Sequence, residues 1–168
     1  MRTLAVYPGT FDPLTVGHLD LIRRSCEIFS QVVVAVARDT QKTALFSPEE
    51  RMEMIRQSIR PFPRVSVELF SGLLVDYMRS RQAHVALRGL RAISDFEYEF
   101  QLAQMNRKLY PEFEIVYMMP DERYTYISSS LVKEIARLGG DISEFVPSEV
   151  RPFLLAKNQT SAKQETAQ

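Results

Sequence analysis

The chain of 168 residues contains one cysteine, two histidines and no tryptophan. A single thiol, Cys26, excludes an intrachain disulfide, and its position on the apolar stripe of a first helix reads as a reduced core thiol rather than a nucleophile. Two histidines and one cysteine cannot furnish a convincing protein-ligated zinc site. An excess of one charge is also lacking. The 21 Lys and Arg residues balance the 21 Asp and Glu, so there is no global electrostatic case for a nucleic-acid or membrane partner, and any anion site must be local. No apolar run approaches the roughly eighteen residues of a membrane span, and Leu4 to Tyr7 is too short for a signal-peptide core, which together point to the cytosol. With 45% hydrophobic and 25% charged residues, the chain is long enough for one cored domain and too short for two.

Apolar runs and turn residues then divide it. Leu4 to Tyr7 reads as a strand ended by Pro8 and Gly9, and from Gly17 apolar positions recur at helical spacing through Leu21, Ile22, Ser25, Cys26 and Phe29. Val32 to Ala37 is a continuous β-branched and alanine run, as in a strand covered on both faces of a parallel sheet. Ser47-Pro48-Glu49-Glu50 supplies a cap, a first-turn proline and two acids for a helix that carries Met52, Ile55 and Ile59 inward. A third strand holds Val65, Val67 and Leu69, a helix follows from Gly72, and His84 to Leu87 is a fourth strand. Asp95 caps a longer helix to about Lys108, Phe113 to Met119 is a fifth strand, and Leu131 to Leu138 mark a helix closed by Gly139 and Gly140. Pro147 starts a last helical piece that Pro152 should kink or interrupt, and the polar stretch 157–168 is expected to be a disordered tail. Strands alternating with helices, without repeat or linker, predict one doubly wound domain over 1–156: a five-stranded parallel sheet with helices on both faces.

Chemistry-bearing residues fall at the strand ends. A first strand turning at glycine into a first helix is where such folds hold phosphates, because unpaired amides at the helix start point at the ligand. Thr10 and His18 lie at this turn and can donate to phosphoryl oxygens, although a helix-capping or core role for His18 fits its spacing equally. Arg88 and Arg91 follow the fourth strand, beside Gly89, and suit either an anion or a solvated surface. Ser128, Ser129 and Ser130 open a helix. One of them reads as its cap, and the three together also suit a second phosphate cradle. The helix from Asp95 carries two apolar stripes, with Phe96, Phe100 and Ala103 on one side and Tyr98, Leu102, Met105 and Leu109 on the other, which reads as an oligomer contact. Glu99, one turn into it, can face the cleft.

Taken together, Tyr7-Pro8-Gly9-Thr10-Phe11-Asp12-Pro13, Thr15-Val16-Gly17-His18, Arg88-Gly89-Leu90-Arg91 and Ile127-Ser128-Ser129-Ser130 resemble the nucleotidylyltransferase superfamily, and within it the bacterial phosphopantetheine adenylyltransferases. Asp95-Phe96-Glu97-Tyr98-Glu99 and Gln101-Leu102-Ala103-Gln104-Met105-Asn106 narrow the resemblance to that branch. So does Thr15, where the wider superfamily often has a histidine. The resemblance implies a Rossmann-like fold and reversible transfer of the adenylyl group of ATP to 4'-phosphopantetheine. The products are dephospho-coenzyme A and pyrophosphate, with Mg2+ required, coenzyme A as a feedback ligand and a homohexameric assembly. It assigns His18 to the ATP phosphates, Thr10 to the reacting phosphate, and Lys42 and Arg88 to the acceptor phosphate; Leu74 would line the pantetheine channel. Phe11, Gly89, Arg91, Glu99, Tyr124, Ile127 and Ser128 to Ser130 resemble nucleotide-contacting positions. No covalent-catalysis set is recognisable, so these donors and cations suit direct in-line attack by an acceptor that is already an anion. A transferase with another phosphate acceptor, or a nucleotide-binding module without turnover, are the rival readings.

Overall fold

The computed structural model describes residues 3–39 and 43–165, with the side chains at 93–94 and beyond 158 left aside. Its elements run β1 (Leu4–Gly9), α1 (Val16–Ile28), β2 (Gln31–Ala37), α2 (Pro48–Ser58), β3 (Val65–Phe70), α3 (Leu74–Ser80), β4 (Val85–Gly89), α4 (Ile93–Leu109), β5 (Glu114–Met118), a 3-10 turn (Glu122–Tyr124), α5 (Ser129–Arg137) and α6 (Arg151–Glu165). The five strands form one sheet in the order β3-β2-β1-β4-β5, and every neighbouring pair is parallel. This is the doubly wound sheet expected from the alternation of strands and helices.

Burial follows the period of two. Ala5 and Tyr7, with Val32, Val34, Val36 and Leu87, pack on the face covered by Leu21 and Ile22 of α1 and Met54 and Ile55 of α2. Val6, Ala35 and Ala86 point the other way, against Val75 and Met78 of α3 and Tyr110 and Phe113 around the end of α4. Both faces are therefore apolar and covered, which is why β2 reads as an uninterrupted hydrophobic run. The chain order reverses between β1 and β4, so the crevice of this fold opens beyond Gly9 and Gly89, at the carboxyl ends of adjacent strands.

Several local expectations are corrected. In α2 the inward positions are Arg51, Met54, Ile55 and Ser58, with Ile59 at its end: Ile55 and Ile59 are buried as expected, whereas Met52 is only partly buried and Arg51 turns into the core instead. Asp95 is not the cap of α4: the helix starts at Ile93 after Ala92, and Asp95 lies in the first turn, where it pairs with Arg91 Nε at 3.5 Å. Pro152 neither kinks nor interrupts a helix, since it sits in the first turn of α6, where a missing N–H leaves no hydrogen bond broken. The tail expected to be disordered from 157 is helical through Glu165, and Lys157 anchors it by pairing with Glu50 at 3.0 Å. Lys42 lies outside the described residues.

Helix α4 has inverted polarity. Phe96, Tyr98, Phe100, Met105 and Leu109 are exposed, while Glu99 and Asn106 are buried. A helix that turns carboxylate and amide inward and aromatics outward is not stabilised by its own core face alone.

Candidate active site

A cavity of about 860 Å3 opens at the reversal of strand order. Its lining contains Thr10, Phe11, His18, Leu74, Arg88, Gly89, Arg91, Glu99, Tyr124, Ile127, Ser128, Ser129 and Ser130, so every site residue proposed from sequence except Lys42 is gathered here.

The first wall is the β1–α1 turn. Thr15 caps α1, its Oγ1 accepting from the His18 amide at 3.3 Å, while His18 Nδ1 accepts from the Thr15 amide at 3.1 Å. That reciprocal pair is a capping box in which a histidine occupies the place usually taken by Glu or Gln. The two roles weighed for His18 are thus compatible: Nδ1 serves the cap, which leaves Nε2 as the protonated nitrogen with no hydrogen-bond partner among the described residues. Burial, reinforced by the charge of Arg91, brings the His18 pKa down to about 4, so the ring is a neutral donor at physiological pH.

Thr10 stands exposed at the mouth of the turn, and Phe11 beside it has a left-handed φ of 50°, uncommon for a bulky residue. Two buried groups hold this backbone. Arg51, only 1% exposed, donates from Nη1 to Thr10 O at 2.7 Å and Ala37 O at 3.0 Å, and from Nε to Phe46 O at 3.2 Å. Asp12 accepts from the Leu45 and Phe46 amides at 2.9 Å each and pairs with Lys133 of α5 at 2.6 Å. One arginine and one aspartate thereby tie the ends of β1 and β2, the loop before α2, and α5.

The second wall is the end of β4. Arg88 donates from Nε to Glu99 Oε2 at 2.9 Å, from Nη2 to Glu99 Oε1, and from Nη1 to Pro8 O at 3.1 Å. Burial opposes its charge, but the hydrogen bonds and field of Glu99 more than offset that and raise its pKa. Gly89 is needed for close packing: a Cβ there would lie 2.6 Å from Leu21 Cδ1. Arg91 is more exposed and donates to Ile127 O at 3.3 Å, reaching across to the third wall.

That wall is the start of α5. Ser128 is its cap, accepting from the Leu131 amide at 3.2 Å, and Ser129 Oγ donates to Pro13 O at 2.8 Å. Of the three serines the first is accounted for by the cap, while the Ser129 and Ser130 amides have no partner among the described residues. The free amides at the start of α5, the His18 ring and the Arg88 and Arg91 guanidiniums converge on one space, an arrangement suited to phosphate groups and poor for a neutral ligand. Among the described residues no group of three or more His, Cys, Asp or Glu side chains gathers to hold a metal ion. No described helix is long and apolar enough to cross a membrane.

Reading the sequence missed Tyr7, Asp12, Arg51 and Lys133. Asp12 lies between Phe11 and Pro13-Leu14, and those apolar surroundings were the available signal. Arg51 sits three and four residues before Met54 and Ile55, so a helical wheel drawn through those two points it inward.

The cytidylyltransferase-like family model matches residues 6–135. The phosphopantetheine adenylyltransferase of Azoarcus sp. (strain BH72) is 56% identical over 154 residues, spanning 92% of this chain and 94% of its own. That of Hahella chejuensis is 58% identical over 141 residues, spanning 84% and 88% respectively. Among solved structures, a putative nicotinate-nucleotide adenylyltransferase from Vibrio parahaemolyticus has a TM-score of 0.71 at 18% identity, covering 92% of this chain and 99% of that one, a likeness of fold. The β1–α1 turn, the strand-order reversal and this extent of identity lead to one assignment: the chain belongs to the phosphopantetheine adenylyltransferases of the cytidylyltransferase-like family.

Proposed function

We infer that the chain transfers the adenylyl group of ATP reversibly to 4'-phosphopantetheine, giving dephospho-coenzyme A and pyrophosphate. Identity above one half to relatives bearing that name supports the reaction. The observation that carries the reading at the level of the site is the convergence of His18, Arg88, Arg91 and the free α5 amides on one cavity.

In this reaction a terminal phosphate oxygen of 4'-phosphopantetheine attacks the α-phosphorus of ATP. One P–O bond forms there as the α–β bridge breaks, and pyrophosphate carries away the electron pair. The nucleophile is an anion near neutral pH, so no general base is needed; alignment and charge neutralisation are the tasks of the protein. His18 Nε2–H donates to the phosphoryl oxygens of the nucleotide, and its neutral ring avoids tight ground-state binding of the polyanion. Thr10 donates to the reacting phosphate from a turn held rigid by Arg51 and Asp12. Arg88, aimed by Glu99, holds the acceptor phosphate together with Lys42. Because both Glu99 oxygens take Arg88, Glu99 acts by orienting that guanidinium as well as by lining the nucleotide side. Leu74 lines the pantetheine channel, while Phe11, Gly89, Arg91, Tyr124, Ile127 and Ser128 to Ser130 surround the nucleotide. Mg2+, when bound, would add positive charge to that of Arg88 and Arg91 as the two phosphate groups meet, and as a hard ion it would be held mainly through substrate oxygens and water.

The enzyme works in the cytoplasm as a homohexamer, for which the outward aromatics of α4 provide an apolar contact, and coenzyme A competes through its pantetheine arm. The test is pyrophosphate release from ATP and Mg2+ with a panel of phosphate acceptors. Release with 4'-phosphopantetheine alone is expected, and saturable ATP binding without release for any acceptor refutes the reading. His18→Ala should lower turnover about a hundredfold, on the order of 3 kcal/mol, while leaving ATP binding near normal.

A further inference from the structure

One buried titratable group in the cleft has no task in this mechanism. Tyr7, on β1, is 4% exposed and lines the cavity. Its ring is fixed edge-to-face against Phe11 with centroids 5.3 Å apart, and lies 6.4 Å from the His18 ring. Its hydroxyl has no hydrogen-bond partner among the described residues, yet it is not sealed in the core, since Arg151 Nε is the unsatisfied buried side-chain atom among them. It therefore opens on the cavity, where it lies 3.7 Å from the place a Cβ on Gly89 would take. The Arg88 and Arg91 guanidiniums act on it electrostatically, and burial pushes its pKa upward, so it stays protonated. A neutral hydroxyl in the field of two cations turns its oxygen toward them and its proton away. An almost buried donor without a partner costs free energy unless a ligand or water meets it.

We propose that the Tyr7 hydroxyl is a substrate-contacting donor that hydrogen-bonds a phosphoryl oxygen of the bound nucleotide. The acceptor is the nucleotide because the hydroxyl lies beside Gly89 and its ring faces that of His18, both nucleotide-side residues, while Arg88, the acceptor-side cation that also acts on it, has its guanidinium engaged by Glu99 and Pro8 O. The inference rests on the adenylyl-transfer reading.

Tyr7→Phe removes the hydroxyl and keeps the ring packing. In the pyrophosphate assay kcat/KM for ATP should fall about tenfold to a hundredfold, while KM for 4'-phosphopantetheine stays within about twofold and Tm is unchanged. A kcat/KM for ATP within about twofold of the unaltered enzyme overturns the proposal, as does a loss confined to 4'-phosphopantetheine. A second measurement needs neither turnover nor the variant: the sequentially assigned 13Cζ signal of Tyr7 should shift when α,β-methylene-ATP is added to the unaltered chain. No shift at saturating analogue means that water alone meets the hydroxyl, and the proposal fails. Absence of pyrophosphate from the unaltered enzyme sinks the functional reading instead, whereas normal turnover with an insensitive Tyr7→Phe sinks only this inference.

Discussion

Acid should weaken this fold through a single imidazole. His18 Nδ1 accepts from the Thr15 amide, so protonation would set two donors against each other, break the cap and place a charge beside Arg91. In the unfolded chain the ring titrates near 6.5, whereas in the fold it titrates near 4. Between those values the unfolded state binds more protons, so stability falls as pH drops from about 6.5 toward 4, and above 6.5 this group contributes no pH dependence. Each pH unit of that window is worth at most about 1.4 kcal/mol, for a ceiling of roughly 3 kcal/mol. Urea unfolding of the native chain and of His18→Gln at a series of pH values isolates the effect, because the other titrating groups are shared. The native chain should lose stability relative to the variant as pH falls, and its imidazole 15N spectrum should keep Nδ1 unprotonated at pH 6. Parallel unfolding curves, or a His18 titration centred between 6 and 7, would refute both the cap geometry and the neutral donor.

Three other perturbations test the framework around the cavity. Arg51→Met leaves the carbonyls of Thr10, Ala37 and Phe46 without their donor and should cost about 3 kcal/mol in urea unfolding; Arg51→Lys, with one point donor, should recover only part. Glu99→Gln removes the counter-charge of Arg88 and sets an amide N–H against one of its donors, and should cost roughly 3 kcal/mol, with a double-mutant cycle to Arg88→Met giving a coupling of at least about 1 kcal/mol. Gly89→Ala drives a methyl against Leu21 Cδ1 at 2.6 Å and should cost about 1–2 kcal/mol, a penalty that should shrink when the same change is made in a Leu21→Ala background.

The sheet was legible because its signal is local: β-branched runs bounded by Gly and Pro announce buried parallel strands, and alternation with helices leaves few topologies. The ends of elements were less so. Arg88 and Gly89 belong to β4 because they pair with Tyr117 and Met118, a fact about a neighbour distant in sequence. Pro152 looked like a breaker because its effect depends on whether it falls in the first turn or the interior, which the start of α6 decides. Within the site, cations and hydroxyls at strand ends could be named from residue type, whereas Arg51 and Asp12 could not. An arginine inside a core is explained only by the three carbonyls it meets, and these come from three separate segments.

The capping box of α1 also limits how far this helix can be improved. A glutamate at position 18 would restore the usual Thr-x-x-Glu box and complement the helix dipole, so a stability-guided redesign would favour His18→Glu. The same change would set a carboxylate in the cavity where the proposed adenylyl transfer brings a polyanion. At this position a tougher helix start and the proposed chemistry make opposite demands on one side chain, since the cap favours an acceptor that is charged and the cavity a donor that is neutral.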